Sequence, residues 1–107
     1  MTHQIVLTTC PDQESADRLA NQLVETRVAA CVNVIPGVRS VYRWKGEVVK
    51  ESELLLVIKS RADRFDVLKE TILKHHPYEL PEVIAVSVND AHLPYLAWID
   101  SQLDNDQ

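Results

Sequence analysis

The stretch EVVKESELLLVIK, residues 47–59, decides how this chain folds. It contains no glycine or proline, and its β-branched and apolar residues favour one long strand paired back on the preceding segment. At about 3.3 Å per residue this stretch spans roughly 43 Å, whereas a domain of this size has a radius of gyration of only about 13 Å. The strand should therefore extend beyond the core of its own subunit.

The segment before this strand completes a hairpin that overhangs the core. VRSVYRW at 38–44 looks extended, and Lys45 and Gly46 predict the turn between the two strands. An exposed apolar edge invites aggregation unless another chain covers it. We therefore expect a homo-oligomer in which the hairpins form the contacts between subunits.

The first third of the chain predicts a strand, a helix and a second strand. QIVLTT at 4–9 is rich in β-branched residues, as strands are. Apolar residues at helical spacing predict an amphipathic helix over about 12–27, with Asp12 as its cap. ACVNVI at 30–35 reads as a second apolar strand, which should end at a turn formed by the Pro-Gly pair at 36–37.

The last part of the chain predicts two more helices around a final strand. Ser60 and Asp63 form a helix-start signal, and this helix should end near His75 because Pro77 follows. The remaining segments are, in order, the strand VIAVSV at 83–88, a short helix PYLAWIDSQL at 94–103, and the tail DNDQ at 104–107, which we expect to fray.

The predicted order, β-α-β-β-α-β followed by a C-terminal helix, is that of a ferredoxin-like α+β fold. Helices would cover one face of an antiparallel sheet. The other face, with residues such as Cys31 and Asn33 or their neighbours, would be left for subunit association. Length and composition fit a single domain over residues 1–107.

The charge of the chain disfavours two kinds of partner. The formal net charge is −5 and the basic residues are dispersed, so nucleic acid and anionic membranes would repel the protein. No apolar run of 18 residues is present, and the N-terminus MTHQIVLTT does not resemble an export signal. We therefore expect no nucleic-acid partner, no membrane partner and a cytoplasmic location.

The stretch HHPYELPEV at 75–83 is the first candidate site. Its two histidines are adjacent, so on a helix they point about 100° apart and cannot both bind one ion. One of them could cap the helix C-terminus. Its two prolines should hold the connection rigid and present Tyr78 and Glu79. Spacing alone favours a structural connection over a metal site, since no ligand tetrad is visible.

Aromatic and acidic side chains around the hairpin and the last helix form the second candidate. Concentrated aromatic residues often mark interfaces. Packing between subunits is favoured here over a ligand pocket, although pockets also form where subunits meet. Lys59 and Arg61 could hold an anionic ligand, but a solvent-exposed position at a helix start is favoured. The members of the cluster are Tyr42, Trp44, Glu51, Glu53, Tyr95 and Trp98.

No catalytic motif is recognisable. The chain has no nucleophile elbow, no phosphate-binding loop and no dinucleotide-binding glycine pattern, and its carboxylates form no identifiable acid–base pair. Cys10 and Cys31 fit no metal or redox spacing, and we expect both to be buried and reduced. The sequence thus predicts a protein that is not an enzyme.

Four stretches of the sequence resemble the CutA family, the divalent-cation tolerance proteins. They are AACVNVIPGVRSVYRWKGEV at 29–48, ESELLLVIKS at 51–60, HPYELPEVIAVSV at 76–88 and YLAWI at 95–99. The resemblance covers about residues 4–100. It implies a ferredoxin-like subunit, a tight homotrimer similar in architecture to the PII-type signalling proteins, and a role in tolerance of copper and other divalent cations.

The resemblance also supplies candidate site residues. We take Cys31, His76 and Glu79 as candidate metal ligands, with no obligatory cofactor and with copper or another divalent cation as the expected ligand. Two alternatives remain open: a PII-like sensor that holds a small anionic metabolite between subunits, and an interaction scaffold without a ligand. The candidates for a ligand or intersubunit cleft are Tyr42, Trp44, Glu51, Lys59, Tyr78, Glu82, Tyr95 and Trp98.

Overall fold

Four strands and three α-helices follow one another in the predicted order. The computed structural model describes residues 2–104. Its elements are β1 (His3–Cys10), α1 (Gln13–Glu25), β2 (Cys31–Trp44), β3 (Glu47–Arg61), α2 (Phe65–His75), β4 (Ile84–Ser87) and α3 (Leu93–Asp104). The strands are antiparallel to their neighbours, in the order β2-β3-β1-β4. The prediction of an α+β, ferredoxin-like fold is confirmed.

The main core lies between one face of the sheet and helices α1 and α2. Asp12 caps α1 as predicted, because its Oδ1 accepts a hydrogen bond from the Ser15 N–H at 2.8 Å. Side chains alternate along a strand, so every second residue of β1 and β3 points toward these helices. The side chains that fill this core include Val6, Cys10, Leu19, Leu23, Leu56, Ile58, Leu68 and Ile72, all buried.

Strand β2 is longer than predicted because Pro36 and Gly37 do not end it. The predicted turn is wrong: pairing with β3 continues to the end of β2, with an irregularity between Ile35 and Val38. Proline has no N–H for the ladder, and Gly37 takes a φ of +78°, so this pair forms a bulge inside the strand. The bulge lets one continuous strand run out past the core.

The hairpin of β2 and β3 overhangs the rest of the subunit, as predicted. Lys45 and Gly46 form its turn, with φ values of +50° and +83°. Most side chains in the outer half of the hairpin are exposed, and the longest dimension of the molecule is 44 Å. The isolated subunit therefore carries a two-stranded arm that its own core does not cover.

The second face of the sheet, called the open face below, is apolar. On β2, Val32 and Val34 pack against the core, so Cys31 and Asn33 point to the open face. Cys31 and Asn33 therefore lie on the face that the core helices do not cover, where the sequence predicted them. Val86 on this face is about half exposed. The strand register assigns to it the apolar residues Ile5, Leu7, Ile35, Leu55, Val57, Ile84 and Val86.

Helix α3 lies across one end of the open face and is held there by Arg61. The prediction that Arg61 is solvent-exposed is wrong. Its side chain is buried and donates hydrogen bonds to the carboxylates of Asp63, Asp100 and Asp104 at 2.7–3.0 Å. Asp100 is also 2.8 Å from Nε2 of His3. The Arg61 cluster thus ties α3 to β1 and β3.

Asp104 also corrects the prediction of a frayed tail. It is the last residue of α3 and is fixed by its pairing with Arg61, which the local sequence did not indicate. The other three tail residues, 105–107, lie outside the described residues. Asp104 therefore links the end of α3 to Arg61.

The start of α2 also differs from the prediction. Ser60 belongs to β3 and donates its hydroxyl hydrogen to the carbonyl of Val28 at 2.7 Å. A short 3-10 turn, Ala62–Arg64, leads into α2, and neither turn nor helix has a side-chain cap. The prediction that Ser60 and Asp63 mark a capped start of α2 is therefore wrong. The predicted end is confirmed, since α2 ends at His75.

The Arg61 cluster makes the fold sensitive to acid. Hydrogen bonds from Arg61 lower the pKa of Asp104 from 3.8 to about 2, and they hold the pKa values of Asp63 and Asp100 below their ordinary value. These pKa values are depressed only in the folded chain. The cluster therefore stabilises the fold above about pH 4, and this stabilisation is lost as the pH falls toward about 2.

We expect urea midpoints to fall between about pH 5 and about pH 2, and to fall less steeply in an Arg61→Met variant. Arg18→Met is the matched control, because Arg18 pairs with Glu14 at 3.5 Å on the surface of α1, away from the cluster. It should keep the acid dependence of the unmodified protein. The same dependence in all three proteins would show that the cluster does not cause it.

Candidate functional site

A cleft of about 660 Å³ lies between the hairpin and the connection from α2 to β4. The hairpin contributes one wall, with residues from both β2 and β3. The connection contributes the other wall. The polar and aromatic lining residues are Thr9, Ser40, Tyr42, Trp44, Glu51, Glu53, Tyr78, Glu79 and Glu82.

The strand register explains why acidic and aromatic groups meet in this hairpin cleft. Ser40 and Tyr42 of β2 lie opposite Glu51 and Val49 of β3. Residues two apart on a strand share a face, so Glu51 and Glu53 point to the same side as Ser40 and Tyr42. The bulge in β2 sets this register, and the hairpin therefore presents carboxylates and aromatic rings side by side.

His76 fixes the connection onto β1. Its Nδ1 accepts a hydrogen bond from the Tyr78 N–H at 3.1 Å, and its Nε2 lies 2.7 Å from the carbonyl oxygen of Thr9. A carbonyl can only accept, so Nε2 carries the hydrogen and the ring is neutral. Both ring nitrogens are therefore used by backbone groups, and His76 acts here as a clamp on the loop.

Tyr78 and Glu53 form the polar centre of the cleft. The Tyr78 hydroxyl donates to the Glu53 carboxylate at 2.6 Å. Burial would raise the pKa of Glu53, but hydrogen bonds from Ser40, Tyr78 and Thr9 outweigh it and lower that pKa. Burial, and then the neighbouring Glu53, raise the pKa of Tyr78. Glu53 is thus ionised and Tyr78 is a neutral donor.

The charge of the cleft is not balanced within the subunit. Glu53 is only 6% exposed, and no ion pair reaches it from anywhere in residues 2–104. Burial, followed by the charge of Glu53, raises the pKa of Glu82. The four glutamates Glu51, Glu53, Glu79 and Glu82 line the cleft, and none of its described lining residues is basic. The cleft is therefore an uncompensated site of negative potential.

The three candidate metal ligands do not come together in one subunit. Cys31 pairs with Lys59 in the ladder, whereas His76 contacts Thr9, which pairs with Leu55. These two points lie four positions apart along β3, a distance of roughly 13 Å. Of the three, only Glu79 lines the cleft. Within the described part of the chain, no group of three or more His, Cys, Asp or Glu is arranged to hold a metal ion.

The candidate cleft residues fall into two groups. Tyr42, Trp44, Glu51, Tyr78 and Glu82 line the hairpin cleft. The remaining three are not among its lining residues. Instead, they lie on or beside the open face near Cys31: Lys59, Tyr95 and Trp98.

The second group surrounds a half-buried thiol. Burial, and then the neighbouring Cys31, raise the pKa of Tyr95, whose ring stacks on Trp98 with centroids 5.5 Å apart. Lys59 donates to the side-chain oxygen of Asn33. The expectation that both cysteines are buried is wrong for Cys31 in the single subunit, and holds for Cys10.

Cys10 and Thr9 are the neighbours of His76 that the sequence did not indicate. The Cys10 sulfur lies 3.9 Å from Nε2 of His76. Burial, and then the charges of Asp12 and Glu53, raise the pKa of Cys10 to about 11, so this thiol stays protonated. No local pattern marks these contacts, because they join residues more than sixty positions apart.

Fold and site together define a class: ferredoxin-like α+β proteins with a long hairpin and an acidic cleft along one side of it. The family model described as CutA1 divalent ion tolerance protein matches residues 4–102. The chain belongs to this family, and the resemblance seen in the sequence is confirmed.

Similar proteins and structures agree with this assignment. The divalent-cation tolerance protein CutA of Thermus thermophilus is 46% identical over 90% of this chain and 93% of its own length. The crystal structure of CutA1 from Oryza sativa superposes with a TM-score of 0.94 at 38% identity, covering 99% of this chain and 97% of that one. The crystal structure of CutA from Xylella fastidiosa superposes with a TM-score of 0.93 at 39% identity, covering 95% of this chain and 98% of that one.

The chain spans nearly the full length of the Thermus relative but about half the length of the plant and human relatives. It covers 54% of the chloroplastic CutA 1 of Oryza sativa, for example. Among residues 2–104, no helix is long and apolar enough to cross a membrane.

Proposed function

We propose that this chain acts in tolerance of divalent cations by binding such ions, copper most tightly, at the carboxylates of the hairpin cleft. Membership of a family described by divalent-ion tolerance supports the role. The negative charge of the cleft supports this position for the binding site, because a cation there would offset charge that the subunit leaves unbalanced.

Glu53 is the residue on which this proposal depends most. A buried carboxylate is normally paired with a cation or a metal, yet within residues 2–104 Glu53 has no ion pair, and its hydrogen-bond donors are the neutral side chains of Ser40, Tyr78 and Thr9. A divalent ion in the cleft would also be attracted by Glu82 and Glu79. Neutral hydrogen-bond donors keep Glu53 ionised, and an incoming cation would supply the missing positive charge.

The donor set suits a hydrated, exchangeable ion. Carboxylate oxygens accept most divalent cations, and the described residues offer no group of three ligands arranged around one point. Binding should therefore be weaker than at a structural metal site. For a fixed set of oxygen donors, affinity rises toward copper and falls again at zinc, which predicts copper above zinc and cobalt.

We propose a homotrimer as the working assembly and the binding of ions, without catalysis, as its activity. The apolar open face and the overhanging hairpin both favour association. The cytoplasm is the proposed location. The names of two relatives place them elsewhere, chloroplastic in Arabidopsis thaliana and periplasmic in Archaeoglobus fulgidus, so the family does not fix the compartment.

Titration calorimetry with copper, zinc and cobalt chlorides tests the metal proposal. We expect copper to bind most tightly, and a Glu53→Gln variant to lose affinity by about tenfold or more, since cation affinity follows the number of charged ligands. Glu70→Gln is the matched control, because it removes a glutamate from the exposed surface of α2.

A Cys31→Ser variant separates the cleft from the thiol site, and it should bind copper as the unmodified protein does. Loss of binding in Cys31→Ser alone would move the site from the cleft to the surroundings of Cys31. Equal losses in the cleft variant and in Glu70→Gln would indicate diffuse attraction only. If no protein bound any of the three ions, the role of an interaction scaffold without a ligand would be better supported than metal binding.

The anionic-metabolite sensor finds less support than the metal role. All charged residues that line the cleft are glutamates, so an anion would be repelled. Lys59, the candidate residue that could attract an anion, is not among the cleft's lining residues and is bonded to Asn33.

A further inference from the structure

The hairpin cleft has an aromatic wall that the binding of metal ions does not use. Tyr42, Trp44 and Tyr78 line it together with the glutamates, and Val49 and Leu80 add apolar surface. Tyr42 and Trp44 remain more than a third exposed, so their rings are accessible in the subunit. A divalent ion held by carboxylates takes its ligands from oxygen atoms and gains nothing from aromatic and apolar surfaces.

Size also distinguishes the cleft from a simple ion site. Its volume of about 660 Å³ falls within the range of pockets for small organic ligands, roughly 300–1,000 Å³. Such pockets combine apolar walls with a few placed polar groups. Here the placed groups are Glu53, buried and bonded to Tyr78, and Glu82 beside it.

Aromatic faces beside carboxylates attract one chemical class in particular. A positively charged ammonium group is held by the faces of tyrosine and tryptophan rings and by carboxylates at the same time. The hairpin already shows one such contact, since Nζ of Lys45 lies 5.8 Å from the centroid of the Trp44 ring. Metal ions lack the apolar body that would fill the remaining volume.

We propose that the hairpin cleft binds a small organic cation, an alkylammonium whose charged head lies between Glu53 and the ring faces of Tyr42 and Trp44 and whose chain fills the remaining apolar part of the cleft. This activity goes beyond the binding of divalent ions and does not depend on it. Glu53 supplies the charge recognition, the rings supply the shape, and Tyr78 holds the Glu53 carboxylate in place.

Fluorescence titration with n-pentylammonium chloride tests the proposal. A Trp98→Phe background leaves Trp44 as the single tryptophan, so the signal reports on the cleft. The titration is carried out in EDTA, which removes divalent metals and separates this result from the metal proposal. Pentan-1-ol is the matched neutral ligand. We expect saturable binding of pentylammonium and at least about tenfold weaker binding of the alcohol.

Three variants in this background locate the binding. Glu53→Gln removes the charge but can still accept from Tyr78, and it should weaken binding about tenfold. Tyr42→Leu should weaken it several-fold by removing one ring. Glu70→Gln changes the net charge by the same amount as Glu53→Gln but lies on the surface of α2, and should change affinity less than about twofold.

Glu82→Gln replaces Glu53→Gln if circular dichroism shows that the latter does not fold. Equal binding of pentan-1-ol would overturn the proposal, because it would mean a merely apolar pocket. Equal weakening by Glu70→Gln would overturn it in favour of general electrostatic attraction. No saturable binding in the assembled protein would also overturn it, as would be found if a basic side chain of a second copy already filled the cleft.

Discussion

Replacing Arg61 with methionine is expected to lower the free energy of unfolding by about 3 kcal/mol. The Arg61 side chain is buried, with 5% of its surface exposed, and it donates hydrogen bonds to three aspartates on two parts of the chain. Methionine keeps much of the side chain's volume but removes the charge. The three carboxylates would then repel one another, and the nearest remaining guanidinium would be that of Arg64, 3.4 Å from Asp104.

The loss should appear first in helix α3. Asp100 and Asp104 are the α3 residues that Arg61 binds, and the apolar packing beneath the helix is only a small cluster that includes Ile99 and Leu103. Hydrogen exchange of α3 amides should therefore increase more than that of α1 amides. An equal increase in amide exchange in α1 and α3 would show that the cluster stabilises the whole fold uniformly.

Urea unfolding at one fixed protein concentration measures the effect, because assembly would couple stability to concentration. Arg18→Met serves again as the control. Its exposed pair with Glu14 should contribute less than about 0.5 kcal/mol. A loss in Arg61→Met no larger than in Arg18→Met would show that the buried cluster adds little to stability.

Local patterns were sufficient to predict most of the fold. The period of apolar residues identified α1, and the long glycine-free stretch identified β3, because each pattern depends on burial of one face of one element. Lys45 and Gly46 marked the hairpin turn correctly, since both adopt positive φ. The order of the elements then left the ferredoxin-like sheet as the natural arrangement.

The wrong predictions share a physical cause, which is tertiary pairing that overrides a local signal. The Pro-Gly pair at 36–37 became a bulge because β3 offers partners on both sides of it. Ser60 found the carbonyl of Val28 across the fold and so did not cap a helix. Arg61 is buried because two aspartates from a distant helix reach it.

For the same reason, only part of the candidate site could be predicted from the sequence. The aromatic and acidic residues of the hairpin could be identified because strand alternation places them on one face. The contacts of Tyr78 with Glu53, and of His76 with Thr9, join residues 25 and 67 positions apart. Only the folded structure brings these residues together, and no spacing rule would have separated Lys59, Tyr95 and Trp98 from the cleft.

Replacing Val86 with aspartate is expected to dissociate the proposed trimer. Val86 lies on the open face, opposite Ile5 in the ladder, and is 51% exposed in the single subunit. If subunits associate through this face, the aspartate would be buried without a partner at each interface. A buried unpaired carboxylate costs several kcal/mol, which raises the dissociation constant by roughly a thousandfold or more.

Sedimentation velocity at about ten micromolar, where a stable trimer stays assembled, distinguishes the outcomes, since the monomer has a mass of 12.2 kDa. The unmodified protein should sediment with three times this mass and Val86→Asp with the monomer mass. Val67→Asp is a closely matched control, because Val67 is also 51% exposed but lies on α2, which packs on the opposite face of the sheet. It should remain a trimer.

The pattern of results identifies which step of the reasoning fails. A monomeric unmodified protein would refute the trimer itself. A trimer that survives Val86→Asp but not Val67→Asp would place the interface on the helical face and leave the apolar open face unexplained. Dissociation by Val86→Asp alone would instead explain why β-branched residues occupy an uncovered face of the sheet: they are core residues of the assembly, exposed only when one subunit is considered alone.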